Sequence, residues 1–237
     1  MFIPSKFAYK HPTFGRSKIA IERKPYQNSV YYLWWEYLKR SEEYRKCCEA
    51  NGKGKLKGLY ADFGDVFSCD FKTWWQTDDR GARLFGEEQL PQFRIIDPKV
   101  EIVPTRNSVY IQVPLDLPKR FLMREFQKIL DENHTGKRGI RTNRNSTSLY
   151  PVTGHVDIDA LQKCLSVYDM KKQNPKMKLW EVAQECRVVK PDSRIKAGDE
   201  KLKGELLRKR LIAANTVSRL LKKAKKIIVE VSNGRFP

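Results

Sequence analysis

Residues 206–228 read LLRKRLIAANTVSRLLKKAKKII, and this stretch decides both how the chain folds and what it meets. Leu207, Leu211, Ala214, Val217, Leu221, Ala224 and Ile228 recur at threes and fours, the spacing that lines one side of an α-helix. That face calls for a core. Arg208, Lys209, Arg210, Arg219, Lys222, Lys223, Lys225 and Lys226 fall mostly off the row, with only Glu205 and Glu230 nearby to oppose them. The second face calls for a polyanion.

The whole chain leans the same way, with 47 Lys plus Arg against 28 Asp plus Glu over 237 residues, a net charge of +19. The excess is uneven: residues 1–135 carry a net +5 and residues 136–237 a net +14. Such asymmetry points to a nucleic-acid or anionic partner for the basic half. The five cysteines, at 47, 48, 69, 164 and 186, include no C-x-x-C pair. Neither a disulfide framework nor a local zinc site follows from that spacing. No apolar run reaches the roughly 18 residues of a membrane span and no signal-peptide core is present, so a soluble cytoplasmic protein with no membrane partner is expected.

Working backwards from the basic helix, Asp157 or Asp159 caps a helix carrying Ile158, Leu161, Leu165, Val167 and Tyr168 to about Lys172. Asn174 and Pro175 break it, Met177–Arg187 forms a short second helix, and Pro191–Gly198 a loop. Between His134 and His155, Gly, Asn, Ser, Thr and four basic residues mark a linker. Upstream, Asn28 or Ser29 caps a helix to about Glu49, short helices fall near 70–77 and 81–87, and Phe93–Ile96, Val100–Val103 and Val109–Val113 read as a small sheet. A helix from Lys119 to about Glu132 turns Phe121, Leu122, Phe126, Ile129 and Leu130 inward, and the first 25 residues form an arm. One Trp of each pair Trp34-Trp35 and Trp74-Trp75 should be buried and the other line a groove or interface, because helical neighbours sit about 100° apart. The expected fold class is α+β, mostly α: an aromatic-rich partner-binding or dimerisation domain (1–135), a basic linker (136–155) and a helical DNA-binding domain (156–237).

Three helices in this order, the last one basic, resemble a helix-turn-helix domain. Leu179-Trp-Glu-Val-Ala-Gln-Glu-Cys186 is similar to its positioning helix, and Asn215-Thr-Val-Ser-Arg219 to the start of its recognition helix. About 27 residues separate Cys186 from Asn215, so either the recognition helix begins near Asp199 and is long, or this is a three-helix variant. With Asp159-Ala-Leu-Gln-Lys-Cys-Leu-Ser-Val-Tyr-Asp169, and with Trp34 to Leu38, Phe63 to Asp65 and Phe71 to Trp75 upstream, the chain resembles transcriptional-regulator-like proteins of bacterial plasmids and integrating elements. The resemblance implies a DNA-binding regulator, or an architectural or replication factor, of a mobile element in a bacterial cytoplasm.

The nucleic-acid-binding residues expected are Arg208, Lys209, Arg210, Asn215, Ser218, Arg219, Lys222, Lys223 and Lys226, joined by Lys137, Arg138, Arg141 and Arg144 of the linker. Arg and Asn suit bidentate base contacts, Lys and Ser phosphates. The alternative is an RNA-binding subunit of a ribonucleoprotein, tracking phosphates without reading bases. A metal-dependent nuclease built on Asp62, Asp65 and Asp70, or on His155, Asp157 and Asp159, ranks third, because turns and helix caps need the same residues. No phosphate-binding loop, dinucleotide fingerprint or nucleophile elbow is present, so no enzyme activity, cofactor or metal is expected.

Overall fold

The computed structural model describes residues 6–15, 24–87, 109–133, 146, 148–152, 156–195 and 203–236. The described residues are mostly helical, and the chain divides into two compact units, residues 1–88 with 143–237, and residues 89–142. In the larger unit the helices are α1 (Val30–Lys39), α2 (Glu42–Glu49), α3 (Lys57–Phe63), α4 (Phe71–Gln76) and α5 (Arg80–Phe85), then, after α6 of the smaller unit, α7 (Ile158–Gln173), α8 (Leu179–Glu185) and α9 (Lys203–Ser232). Two two-residue strands, β1 (Lys6–Phe7) and β2 (Gly86–Glu87), pair antiparallel. Nothing else pairs as a sheet among the described residues.

Local chemistry sets the helix ends. The Ser29 hydroxyl accepts from the Tyr31 amide at 3.3 Å and starts α1. The single helix expected to Glu49 is two, because Ser41 lies extended and caps α2 by accepting from the Tyr44 amide at 3.2 Å. Asp70 caps α4 through the Thr73 amide, and that bond holds its carboxyl below the usual range. Asp157, the first of the two expected candidates, caps α7 by accepting from Ala160 at 3.0 Å. At the end of α8, Arg187 takes a left-handed conformation (φ 51°) while Val188 donates to the Ala183 carbonyl and Arg187 to that of Gln184. That pattern is a Schellman turn.

One core joins the two ends of the chain. Tyr31, Leu33, Trp34, Tyr37, Leu38, Phe63, Phe71, Trp74, Leu84 and Phe85 pack with Leu161, Cys164, Ala224, Ile227, Val231 and Phe236, all at or below 4% exposure. Both tryptophan pairs are wholly internal, with Trp34, Trp35, Trp74 and Trp75 at 0, 4, 0 and 5% exposure, contrary to the expected one in, one out. The reason is that α1 is enclosed on two sides. Trp34 lies against Phe63, Phe85 and Phe236, while Trp35 faces Phe71 and Trp74.

The division expected between 1–135 and 156–237 does not describe this core. Tyr37 of α1 donates to the Leu161 carbonyl of α7 at 3.0 Å, and Arg40 reaches both Asp169 oxygens, at 2.8 and 2.5 Å, while also binding Glu36. Ser41 and Ser232 share a buried hydrogen bond of 2.6 Å. The end of the chain is tied in as well. Gly234, at φ +71°, lets the backbone turn after α9, with Arg235 donating to Glu230 and Gly234 to Val231, so that Phe236 bridges Val152 and enters the core. Helices α7, α8 and the first half of α9 add a smaller cluster of Val167, Val182, Ala183, Val189, Ala213 and Val217.

In the smaller unit the described residues are an irregular segment, 109–118, and α6 (Lys119–Asn133). The helix falls where expected, but Phe121 and Leu130 stand exposed at 41% and 37%, and Leu122, Phe126 and Ile129 are half-buried. Val109–Val113 has no strand partner among the described residues, and the other two expected strands lie outside them.

Candidate nucleic-acid interface

α9 is one continuous helix of 30 residues, about 45 Å long at 1.5 Å per residue. Of the two expected starts, near Asp199 or at Asn215, it has the earlier: the described helix opens at Lys203 and runs through Asn215 without a break. Asn215 sits exposed in mid-helix, and the Thr216 hydroxyl donates back to the Ile212 carbonyl at 2.8 Å. The chain between α8 and α9 is residues 186–202, of which 186–195 are described.

Its buried side is Ala213, Val217, Ala224, Ile227, Ile228 and Val231. The row expected to be buried is displaced at its beginning, where Leu207 and Leu211 are 69% and 61% exposed. A row stepping 3.5 residues at a time drifts by about 20° per seven residues on a helix of 3.6 per turn. Over the three sevens from 207 to 228, that carries its first members out of the contact.

Opposite the buried side stands the basic face. At about 100° per residue, Arg208, Asn215, Arg219, Lys222 and Lys226 fall within roughly 60° of one another and directly across from Ala213, Val217, Ala224 and Val231. All five are exposed. Ser218, Lys223 and Lys225, also exposed, flank the row. None of its cations makes an ion pair with a described residue, whereas one acid of each of α1, α2 and α7 is engaged, Glu36 and Asp169 by Arg40 and Glu42 by Lys172.

Two expected contact residues belong elsewhere. Lys209 is withdrawn to 9% exposure, in line with Ile227 on the buried side of the helix. The Arg210 guanidinium lies 4.6 Å from the Trp180 ring centre, so it clips α9 to α8 through a cation–π contact. That pairing was legible only once α8 and α9 were known to be neighbours. The linker residues Lys137, Arg138, Arg141 and Arg144 lie outside the described residues.

Four of the acids considered for a metal have other duties. Asp62 accepts from the Tyr150 hydroxyl at 2.6 Å, Asp65 from the Phe67 amide at 2.8 Å, and Asp70 and Asp157 cap helices; Asp159 is exposed and His155 lies outside the described residues. Among the described residues no group of three or more His, Cys, Asp or Glu could hold a metal ion, and no helix is long and apolar enough to cross a membrane. No protein-family model matches the chain, and neither does any curated protein or solved structure.

Proposed function

We infer that this protein binds duplex DNA through the outward face of α9, as a regulator or an architectural factor. The observation that carries the reading is the row Arg208, Asn215, Arg219, Lys222 and Lys226, solvent-facing and without acidic partners among the described residues, on a helix whose opposite side is fixed in the core. Fixing one side matters because a pre-ordered helix loses little conformational freedom on binding. Arg208 and Arg219 lie about 16 Å apart along the axis, the rise of roughly five base pairs, which suits one major groove and its flanking phosphates. The packing of α9 on α7 and the short α8, with Ala183 and Ala213 both buried, supports the reading by holding the inner side of the helix while its basic side stays outward.

Gel-shift titration of the full chain on duplex DNA over a range of salt concentrations tests this. Affinity falls steeply with salt, and Arg219→Ala and Lys222→Ala each lower the slope of log K against log salt by about one. A double variant binding with wild-type affinity and slope defeats the reading. Nuclease-resistant RNA copurifying with the protein, with no duplex DNA binding, assigns the face to RNA instead.

A further inference from the structure

The outward face of α9 is not purely basic. Between Arg208 and Asn215, toward the start of the row, the helix presents Leu211 at 61% and Ile212 at 38% exposure, placed about 50° to either side of the row's midline, while Val229, also exposed, lies beyond the last member, Lys226. A surface that only meets phosphates has no use for two branched aliphatic side chains within it, because phosphate oxygens are matched by Lys, Arg and amide donors. Resting on the DNA-binding reading, we propose that Leu211 and Ile212 are specificity-determining residues that read thymine methyl groups, so that the preferred site carries A·T pairs where this turn of the helix meets it.

Charge selects this occupant over a second copy. Pairing two α9 faces would set Arg208, Arg219 and Lys222 against another set of cations, and the helix's only acids, Glu205 and Glu230, stand near its ends. A polyanion whose groove floor also carries methyl groups satisfies both parts of the face. Among base edges in the major groove only thymine offers such an apolar group. Asn215, one turn further on and exposed, is the residue type that pairs bidentately with adenine N6 and N7. One helical turn advances about 5.4 Å, under two base-pair steps, so the aliphatic pair and Asn215 meet adjacent or next-adjacent pairs.

The test starts by selecting bound duplexes from a random library with the full chain, then replacing each thymine of the selected site by deoxyuridine, which removes only the methyl group. Deoxyuridine at the A·T positions of the selected consensus weakens wild-type binding about fourfold per methyl read. Leu211→Ala with Ile212→Ala loses that same factor on the thymine site and nothing further on the deoxyuridine site, while its salt slope stays at the wild-type value. A selection without a consensus, or a wild-type protein indifferent to deoxyuridine, overturns the proposal and leaves salt-sensitive DNA binding standing. Absence of any salt-sensitive binding overturns the underlying reading itself. A double variant with a lower melting temperature in the absence of DNA, or one that abolishes self-association without touching DNA affinity, assigns the two side chains to a protein contact and also overturns it.

Discussion

Replacing Phe236, the next-to-last residue of the sequence, by Ala should destabilise the whole larger unit. The ring is 1% exposed, with its centre 5.2 Å from that of Trp34 and 5.6 Å from that of Tyr37, both in α1. Deleting a buried phenyl ring removes its transfer free energy and leaves a cavity, together about 3–5 kcal/mol. A domain is commonly stable by about 5–15 kcal/mol, so a large fraction is at stake. At ~2–4 °C per kcal/mol for a chain of this length, the melting temperature should fall by roughly 10 °C. Urea unfolding followed by tryptophan fluorescence and by far-ultraviolet circular dichroism measures it, since four of the five tryptophans lie in α1 and α4 while α9 is the longest helix contributing to the dichroism. Both probes should shift together to lower urea. A loss below ~1 kcal/mol, or a dichroism transition that moves while the tryptophan signal stays put, would refute the argument that the two ends of the chain share one core.

Arg40→Met removes the fork onto Asp169 and the bond to Glu36; charge-assisted bonds of this kind, partly solvated at 20–34% exposure, place the cost at about 2–3 kcal/mol, and Arg40→Lys should recover less than half in the same urea titration. Gly81→Ala should lower stability by about 1–2 kcal/mol although alanine is the better helix former, because the added methyl meets the Trp75 ring at 2.2 Å; a gain in melting temperature would contradict the packing. Burial pushes the Tyr31 phenol up to about 12 and raises Tyr32, Tyr37, Tyr44 and Tyr150 above the ordinary value near 10. Their contribution to stability is therefore complete below pH 10 and lost as pH rises beyond it. In an alkaline titration about half of the ten tyrosines should ionise only as the far-ultraviolet signal collapses, and a single smooth titration near pH 10 with the fold intact would contradict this.

Elements with strong periodicity and a capping residue were readable along the chain. α6, α7 and α8 lie within about two residues of their expected ends, and Ser29 and Asp157 cap the helices they were expected to cap. Tertiary demands hid the rest. Ser41 breaks the first helix because its hydroxyl is wanted twice, by the Tyr44 amide and by Ser232, a residue 191 positions away. The tryptophan pairs are buried on both sides because α4, α5 and the end of α9 close around α1, an enclosure that no local pattern encodes. Of the nine expected contact residues on α9, eight are exposed, one of them, Arg210, resting on the Trp180 ring, and Lys209 is buried.

The expected domain boundary failed for a reason that bears on the function. Net charge describes surfaces and says nothing about which residues share an interior. The basic excess after residue 136 lies partly on the outer face of α9, while the inner face of the same helix belongs at its far end to the core built around α1. α9 is thus divided along its length. Ala224, Ile227, Ile228 and Val231 root its second half among the N-terminal aromatics, and Ala213 and Val217 rest its first half on the short α8 through small side chains that permit close approach. A helix held this firmly on one side can leave cations that pair with no described acid, and even Leu211 and Ile212, on the other without losing its shape. An exposed basic and aliphatic face on a free tail would have to order itself on binding; here the aromatic core does that ordering beforehand, so under the proposed DNA-binding reading the N-terminal half of the chain contributes without a contact of its own.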